Sequence, residues 1–218
     1  MVVRYDRGMT KTQPSVTPAY VIPAPSETLS IDFANTLYWR GTDAPTETFG
    51  TLDDLFGWCR DQAGVPTRVA DACVVYEKGT GAGRDEPAIL ARALELREAL
   101  YRLFHAQAER REPATDDLVL LGGFLAEAAP RVALARIDGA YAWRVPQGEV
   151  ALPRLLSPVL WSATDLLGGA RLAKVKRCAN DACQWLFIDD SKNGSRRWCS
   201  MSSCGNRAKA YRHYHKDG

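Results

Sequence analysis

CANDACQWLFIDDSKNGSRRWCSMSSCGNRAKA, residues 178–210, carries four of the chain's six cysteines as two pairs, Cys178/Cys183 and Cys199/Cys204. Four residues separate the members of each pair, and 15 lie between the pairs. Zinc is a tetrahedral, borderline-soft ion that binds thiolate well, and a structural zinc site draws four sulfur or imidazole ligands from two short loops. The pattern predicts one structural Zn2+ held by Cys178, Cys183, Cys199 and Cys204. Two disulfides or a redox-active pair are the competing readings, and His213 or His215 are the residues that could replace one sulfur. Between the pairs, QWLFID, a DSKNGS turn and RRWCS read as a two-stranded hairpin. A helix from about Ser203 through RAKAYRHYHK then puts Cys204 in its first turn. Knuckle, hairpin, then a helix carrying the last ligand is the order of a treble-clef finger. Roughly 40 residues with few large aliphatics bury too little apolar surface to fold alone, so the metal is expected to supply much of the folding energy.

Outward from this stretch, charge divides the chain near residue 170. Residues 1–170 hold 17 Lys and Arg against 22 Asp and Glu, a balance of −5; residues 171–218 hold 11 against 4, a balance of +7. Four thiolates and one Zn2+ add −2, which leaves about +5 on the tail. Such asymmetry predicts a polyanion partner, double-stranded DNA first. On the terminal helix Lys209, Arg212 and Lys216 recur at three- and four-residue intervals as one basic face, with Ala208 and Tyr211 on the packing side. Arg196 and Arg197 extend the charge onto the adjoining strand. Asn206 and Arg207 are best placed to read base edges, because both side chain types make bidentate contacts; their competing roles are local, Asn206 as a cap and Arg207 as a brace for the knuckle. A solvated face without a partner, a protein-docking adaptor, and RNA stacked on Trp185, Trp198 and Tyr214 are the rival readings.

The remaining chain reads as a helix-rich α+β body. Residues 1–25 hold Pro14, Pro18, Pro23 and Pro25 and little periodicity, so an extended arm with no packed element is expected. Residues 26–172 form the body, and residues 173–218 the finger. Leu29, Phe33 and Leu37 repeat at four-residue spacing behind a Ser26 cap. Thr51 and Asp54 form a capping box for a helix closed by Gly64, and Thr67 caps a third helix. Pro87 opens the clearest helix, with Leu90, Leu94, Tyr101, Phe104 and Ala108 as its apolar stripe. Thr115 begins another, which Pro130 stops. RVALARIDGAYAWRV alternates around Asp138-Gly139, a tight hairpin. Residues from Pro153 read as one helix, kinked at Pro158 and weak at Gly168-Gly169, that leads directly into Cys178. Cys59 and Cys73 lie in helical patterns and read as buried thiols.

No apolar run approaches the roughly 18 residues that a membrane helix requires, and MVVRYDRGMTKTQ lacks the hydrophobic core of a secretory signal. A cytoplasmic protein is expected, with no membrane partner. The body has His105 alone among histidines, no glycine-rich phosphate loop and no second metal-ligand cluster, so no catalytic role is expected. Asp32 and Asn35, three apart on a helix, are candidates for binding a small-molecule effector, against a plain structural role. One finger gives a small footprint on DNA, so a homodimer formed through the body is an added expectation.

The quoted stretch resembles the CGNR zinc finger, named for the tetrapeptide present as Cys204-Gly205-Asn206-Arg207. IDFANTL, residues 31–37, is similar to the opening helix of the ABATE domain, which precedes this finger in a family of stress-induced bacterial transcription regulators. The resemblance covers nearly all of the chain. It implies a DNA-binding regulator with zinc on Cys178, Cys183, Cys199 and Cys204.

Overall fold

The structure is a computed structural model that describes residues 16–79 and 84–214. It opens with two strands, β1 (Val16–Thr17) and β2 (Tyr20–Pro23), followed by helix α1 (Leu29–Ala34) and a short pair, β3 (Leu37–Tyr38) and β4 (Thr46–Glu47). Helices α2 (Leu52–Ala63), α3 (Thr67–Gly79), α4 (Glu86–Ala108) and α5 (Thr115–Glu127) come next. The chain then forms β5 (Ala133–Ile137), β6 (Ala140–Val145) and β7 (Gly148–Glu149), and helices α6 (Leu152–Leu155) and α7 (Ser157–Leu167). A 3-10 turn at 170–174 leads to β8 (Val175–Arg177), β9 (Leu186–Ile188), a π-type turn at 201–205 and helix α8 (Asn206–Tyr214). The architecture is α+β and rich in helix.

Local signals set several boundaries. The Thr51 hydroxyl accepts from the Asp54 N–H at 3.2 Å while the Asp54 carboxylate accepts from the Thr51 N–H at 2.8 Å, the two halves of the capping box. Gly64 ends α2 at φ 66°, and a Cβ there would meet Pro23 Cδ at 2.6 Å. Asp85 caps α4 by accepting from Ala88 N–H at 3.0 Å, with Pro87 in the first turn. Asp138 and Gly139, at φ 49° and 84°, make the two left-handed positions of the β5–β6 turn, which pairs Ile137 with Ala140.

Elsewhere tertiary contacts override the local pattern. Residues 16–23, expected as an unpacked arm, supply β1 and β2. β2 pairs antiparallel with β6 to give the sheet order β2-β6-β5 and buries Tyr20 and Ile22. Residues 1–15 lie outside the described residues. α1 begins behind Thr28, not Ser26, and stops at Ala34, so Leu37 belongs to β3. On α4 the fully buried stripe is Ile89, Ala93, Leu96, Leu100 and Phe104; Leu90 and Leu94 are only partly covered. This helix is surrounded by α1, α2, α5 and β8, which rotates its buried sector relative to a one-faced reading. The segment from Pro153 breaks into α6, α7, the 3-10 turn and β8 instead of one kinked helix.

The finger is built into the body. β8 and β9 pair antiparallel, Val175 opposite Ile188, and the buried Val175, Leu186 and Ile188 belong to the main core with α1, α4 and α7. The expected hairpin between 184–189 and 196–200 is not formed. Its backbone donors at Ser191 and Arg196 bond instead to the buried Asp189 carboxylate, each at 3.0 Å, so a side chain takes the place of a strand ladder. The Lys176 ammonium, 2.6 Å away, and the Ser191 hydroxyl complete that hub and hold the Asp189 carboxyl below the usual carboxylate range.

Candidate metal centre and its basic surface

The first knuckle is a compact turn. Asn180 O accepts from the N–H groups of Cys183 and Gln184, the Asn180 side chain oxygen accepts from Ala182 N–H, and Gln184 closes the turn at φ 57°. Cys178 N–H donates to Trp185 O at 2.7 Å, which ties the knuckle to the β8–β9 ladder. In the second pair Cys199 precedes Ser200 and Cys204 lies within the π-type turn, two residues before α8 begins.

These two turns bring the sulfurs of Cys178, Cys183, Cys199 and Cys204 within 4.8 Å of one another. Cys183 Sγ lies 3.7 Å from Cys199 Sγ, and Cys199 Sγ lies 3.8 Å from Cys204 Sγ. A tetrahedral zinc with bonds of about 2.3 Å demands sulfur–sulfur edges of about 3.8 Å, whereas a disulfide demands about 2 Å. The fit is to zinc, and all six cysteines are unbridged. Amide donors face the sulfurs from outside: Cys199 N–H points at Cys178 Sγ at 3.5 Å, and Asn180 Nδ2 at Cys204 Sγ at 3.4 Å. Sulfurs this crowded repel each other as thiolates. Hydrogen bonds from Cys183 and Cys199 lower the Cys178 thiol, while its charge and hydrogen bonding push Cys183 up to about 12 and raise Cys199 as well. A dication at their centre removes that conflict and lets all four ionise. Cys59 and Cys73 lie apart, inside α2 and α3; burial alone pushes Cys59 up to about 12.

Around the metal site pack Trp39, Trp185 and Trp198, and Trp39 comes from the body. Trp39 holds φ 56°, a left-handed conformation that costs a bulky residue about 1–3 kcal/mol. Its surroundings enforce it. Thr42 donates to Trp39 O through both its N–H (3.0 Å) and its hydroxyl (2.8 Å), and Gly41 N–H reaches Ala182 O of the knuckle at 3.3 Å. Gly41 lies so close to the knuckle that a Cβ would fall 1.6 Å from Asp181 O. The neighbouring Arg40 is clamped by Glu98 through two hydrogen bonds and lies 3.9 Å over the Tyr101 ring, and Tyr101 OH donates to Gln184 O at 2.9 Å. Arg97 extends this network to Glu47 in β4.

Most residues singled out from the sequence have a definite place. Asn35 is buried, and its amide bonds both backbone groups of Leu186, Nδ2 to O and N–H to Oδ1, each at 2.9 Å. It docks β9 on α1. Asp32 is exposed beside it and accepts from Thr28 at 2.9 Å; the protein around it partly desolvates the carboxyl and raises its pKa against that bond. Arg196 turns inward: it lies 4.7 Å over Phe187 and donates to the carbonyls of Trp198 and Cys199, so it braces the second knuckle. Arg197 is exposed over Trp198 at 5.3 Å. Arg207 is exposed, lies 4.3 Å over Trp39 and donates to Ser203 Oγ at 3.0 Å. Asn206 donates to Ser202 O at 3.2 Å, and Lys209 is exposed on α8. Arg212 lies on α8 with its side chain outside the described residues, as do Lys216 and His215 entirely.

Ion pairs sort the positive charge of the tail. Arg171 pairs with Glu27 and Asp190, Lys174 with Asp190, Lys176 with Asp189, and Arg177 with Glu109. Among the described residues no carboxylate pairs with Lys192, Arg197, Arg207 or Lys209, and the last three belong to the side of the finger that carries α8. Sequence reading gave Trp39, Gly41 and Asp189 no role at the site and took Tyr101 only as part of an apolar stripe. The glycine after Trp39-Arg40 and the isolated Asp189-Asp190 pair in a basic segment were the only signals available.

A four-sulfur zinc centre fused to a helix-rich body defines a zinc-binding protein with a C-terminal finger. The finger matches the family described as "CGNR zinc finger" over residues 174–217, and the body matches ABATE, described as "Putative stress-induced transcription regulator", over residues 27–170. The chain belongs to the ABATE family, with the CGNR finger following it. No curated protein matches it. Among the described residues no helix is long and apolar enough to cross a membrane.

Proposed function

We propose that the chain is a transcription regulator whose finger binds duplex DNA through Arg197, Arg207 and Lys209, with Arg212 and Lys216, next along the sequence, as further contacts. One observation carries this reading: Glu27 and Glu109 of the body, with Asp189 and Asp190 of the finger, neutralise the arginines and lysines at the junction, while the cations beside the metal centre keep no carboxylate among the described residues. Phosphate contacts of this kind supply affinity, and Asn206 at the start of α8 would read a base edge. Arg196 is excluded from the contact set because its guanidinium is spent inside the finger. The reading assigns no catalytic step and places the protein in the cytoplasm, where thiolates stay available for zinc. The test is anisotropy titration of a labelled duplex across a salt series. Replacing Arg197, Arg207 and Lys209 by Ala should weaken binding at every sequence and reduce the salt slope by about three; unchanged binding refutes the proposal.

A sensor role for the body has its own support in an open cleft of about 680 Å3 lined by Asp32, Asp53, Asp61, Trp58, Tyr38 and the finger's Trp185. A ligand there would touch both parts of the chain. Asn35 is committed to Leu186, so Asp32 carries the effector contact. A thermal-shift screen tests it: a compound that raises melting of wild type and of Asp32→Ala equally counts against this site.

A further inference from the structure

We propose that the cavity between body and finger binds one unstacked nucleotide, its base against the Trp39 and Trp198 platforms and its phosphate on Arg207 and Arg197. The inference rests on the nucleic-acid reading of the finger and extends the surface to the body. The cavity measures about 830 Å3 and is lined by Trp39, Asn180, Arg197, Trp198, Arg207 and Tyr211 among others. Each guanidinium lies over an indole, Arg207 over Trp39 at 4.3 Å and Arg197 over Trp198 at 5.3 Å. A guanidinium held over an indole keeps N–H donors at its edge for a phosphate, in Arg207 those not given to Ser203 Oγ. Bases stack on indoles and on guanidinium planes alike, so each pair is a flat platform beside a phosphate donor. An acidic peptide would use the forks and leave the platforms idle. The left-handed backbone of Trp39 is a second, independent observation: the body holds this indole against its conformational preference, through Thr42 and Gly41, at the mouth of the finger's cavity.

The experiment uses full-length, zinc-loaded protein and three probes: a random-sequence duplex at low salt, the same duplex with one bulged nucleotide, and free deoxyadenosine monophosphate as competitor. The bulged duplex should bind about tenfold tighter than the perfect one, the size expected of one base–aromatic stack. Trp39→Ala should erase that advantage, weakening the bulged duplex about tenfold more than the perfect one, and Trp39→Phe should restore most of it. Arg197→Gln, which leaves Trp39 in place, should also cost the bulged probe more than the perfect one and serves if Trp39→Ala fails to retain one zinc. Competition by the free nucleotide would show that the nucleotide alone suffices; its absence, with the bulge preference kept, assigns the pocket to a strand. Equal binding of bulged and perfect duplex overturns this inference and leaves the duplex reading intact. Preference for unpaired nucleotide with no duplex binding does the reverse. No binding to any probe overturns both.

Discussion

Removing the Asn35 amide is the most direct perturbation of how the finger is held. Asn35→Ala deletes two buried hydrogen bonds of 2.9 Å at once, leaving the N–H and C=O of Leu186 without the partner that joins α1 to β9. Each stranded buried backbone group costs about 1–3 kcal/mol, so the pair amounts to roughly 2–5 kcal/mol after some local relaxation. That is a large share of the roughly 5–15 kcal/mol by which a domain is stable. At about 2–4 °C per kcal/mol for a chain of this size, a loss near 3 kcal/mol lowers Tm by about 6–12 °C. Because Leu186 leads straight back to Cys183, loosening β9 should also hasten zinc transfer to a chromogenic chelator. Asn35→Asp should be no better: it keeps an acceptor for Leu186 N–H but turns a carboxylate oxygen toward Leu186 O. Urea unfolding followed by circular dichroism, with chelator competition on the same samples, measures both effects. A stability change under about 0.5 kcal/mol with unaltered zinc release would refute the docking role.

Zinc removal should reach beyond the finger: purified protein should hold one zinc per chain, and chelation should lower melting of the body as well, because Val175, Leu186 and Ile188 sit in its core; calorimetry showing an unchanged main transition would contradict this. Gly41→Ala should separate the 39–42 loop from the knuckle, since no Cβ fits 1.6 Å from Asp181 O; reduced zinc retention relative to Gly57→Ala, whose Cβ meets only the far end of Arg60, is the expected reading. Burial would raise the Glu98 carboxyl, but the hydrogen bonds and charge of Arg40, with Arg97, outweigh it and hold it below its ordinary value; Glu47 is lowered in the same way by Arg97. Stability from these pairs is therefore complete above the ordinary carboxylate value of about 4.3 and is lost as pH falls through the folded values, so Glu98→Gln should flatten the acid limb of Tm against pH. Arg196→Ala should impair zinc retention more than Arg197→Ala, because only Arg196 braces the carbonyls of Trp198 and Cys199; equal effects would remove the distinction drawn between them.

The ligand set was fully legible in the chain, as were the α2 capping box and the Asp138-Gly139 hairpin, because each depends on residues near in sequence whose chemistry admits few arrangements. Two matched cysteine pairs have little to do in a basic segment except close around a thiophilic ion. The charge division at residue 170 was equally plain. What the ionic groups do with that charge was not: Arg196 and Arg197 are adjacent and chemically identical, yet one faces Phe187 and the other faces solvent. The hairpin expected between the cysteine pairs failed for a related reason, since the choice of Asp189 as its hub depends on Lys176 approaching from β8. Asn35, three residues from Asp32, was open to a structural role or a ligand contact, and only its partner 151 residues away gives the structural role its content. Local chemistry thus determined the metal, the caps and the turns; long-range packing alone decided that the finger is docked and that a body tryptophan stands beside its zinc. Partners distant in sequence leave no periodicity or spacing to read, because the surfaces that join them exist only once both have folded.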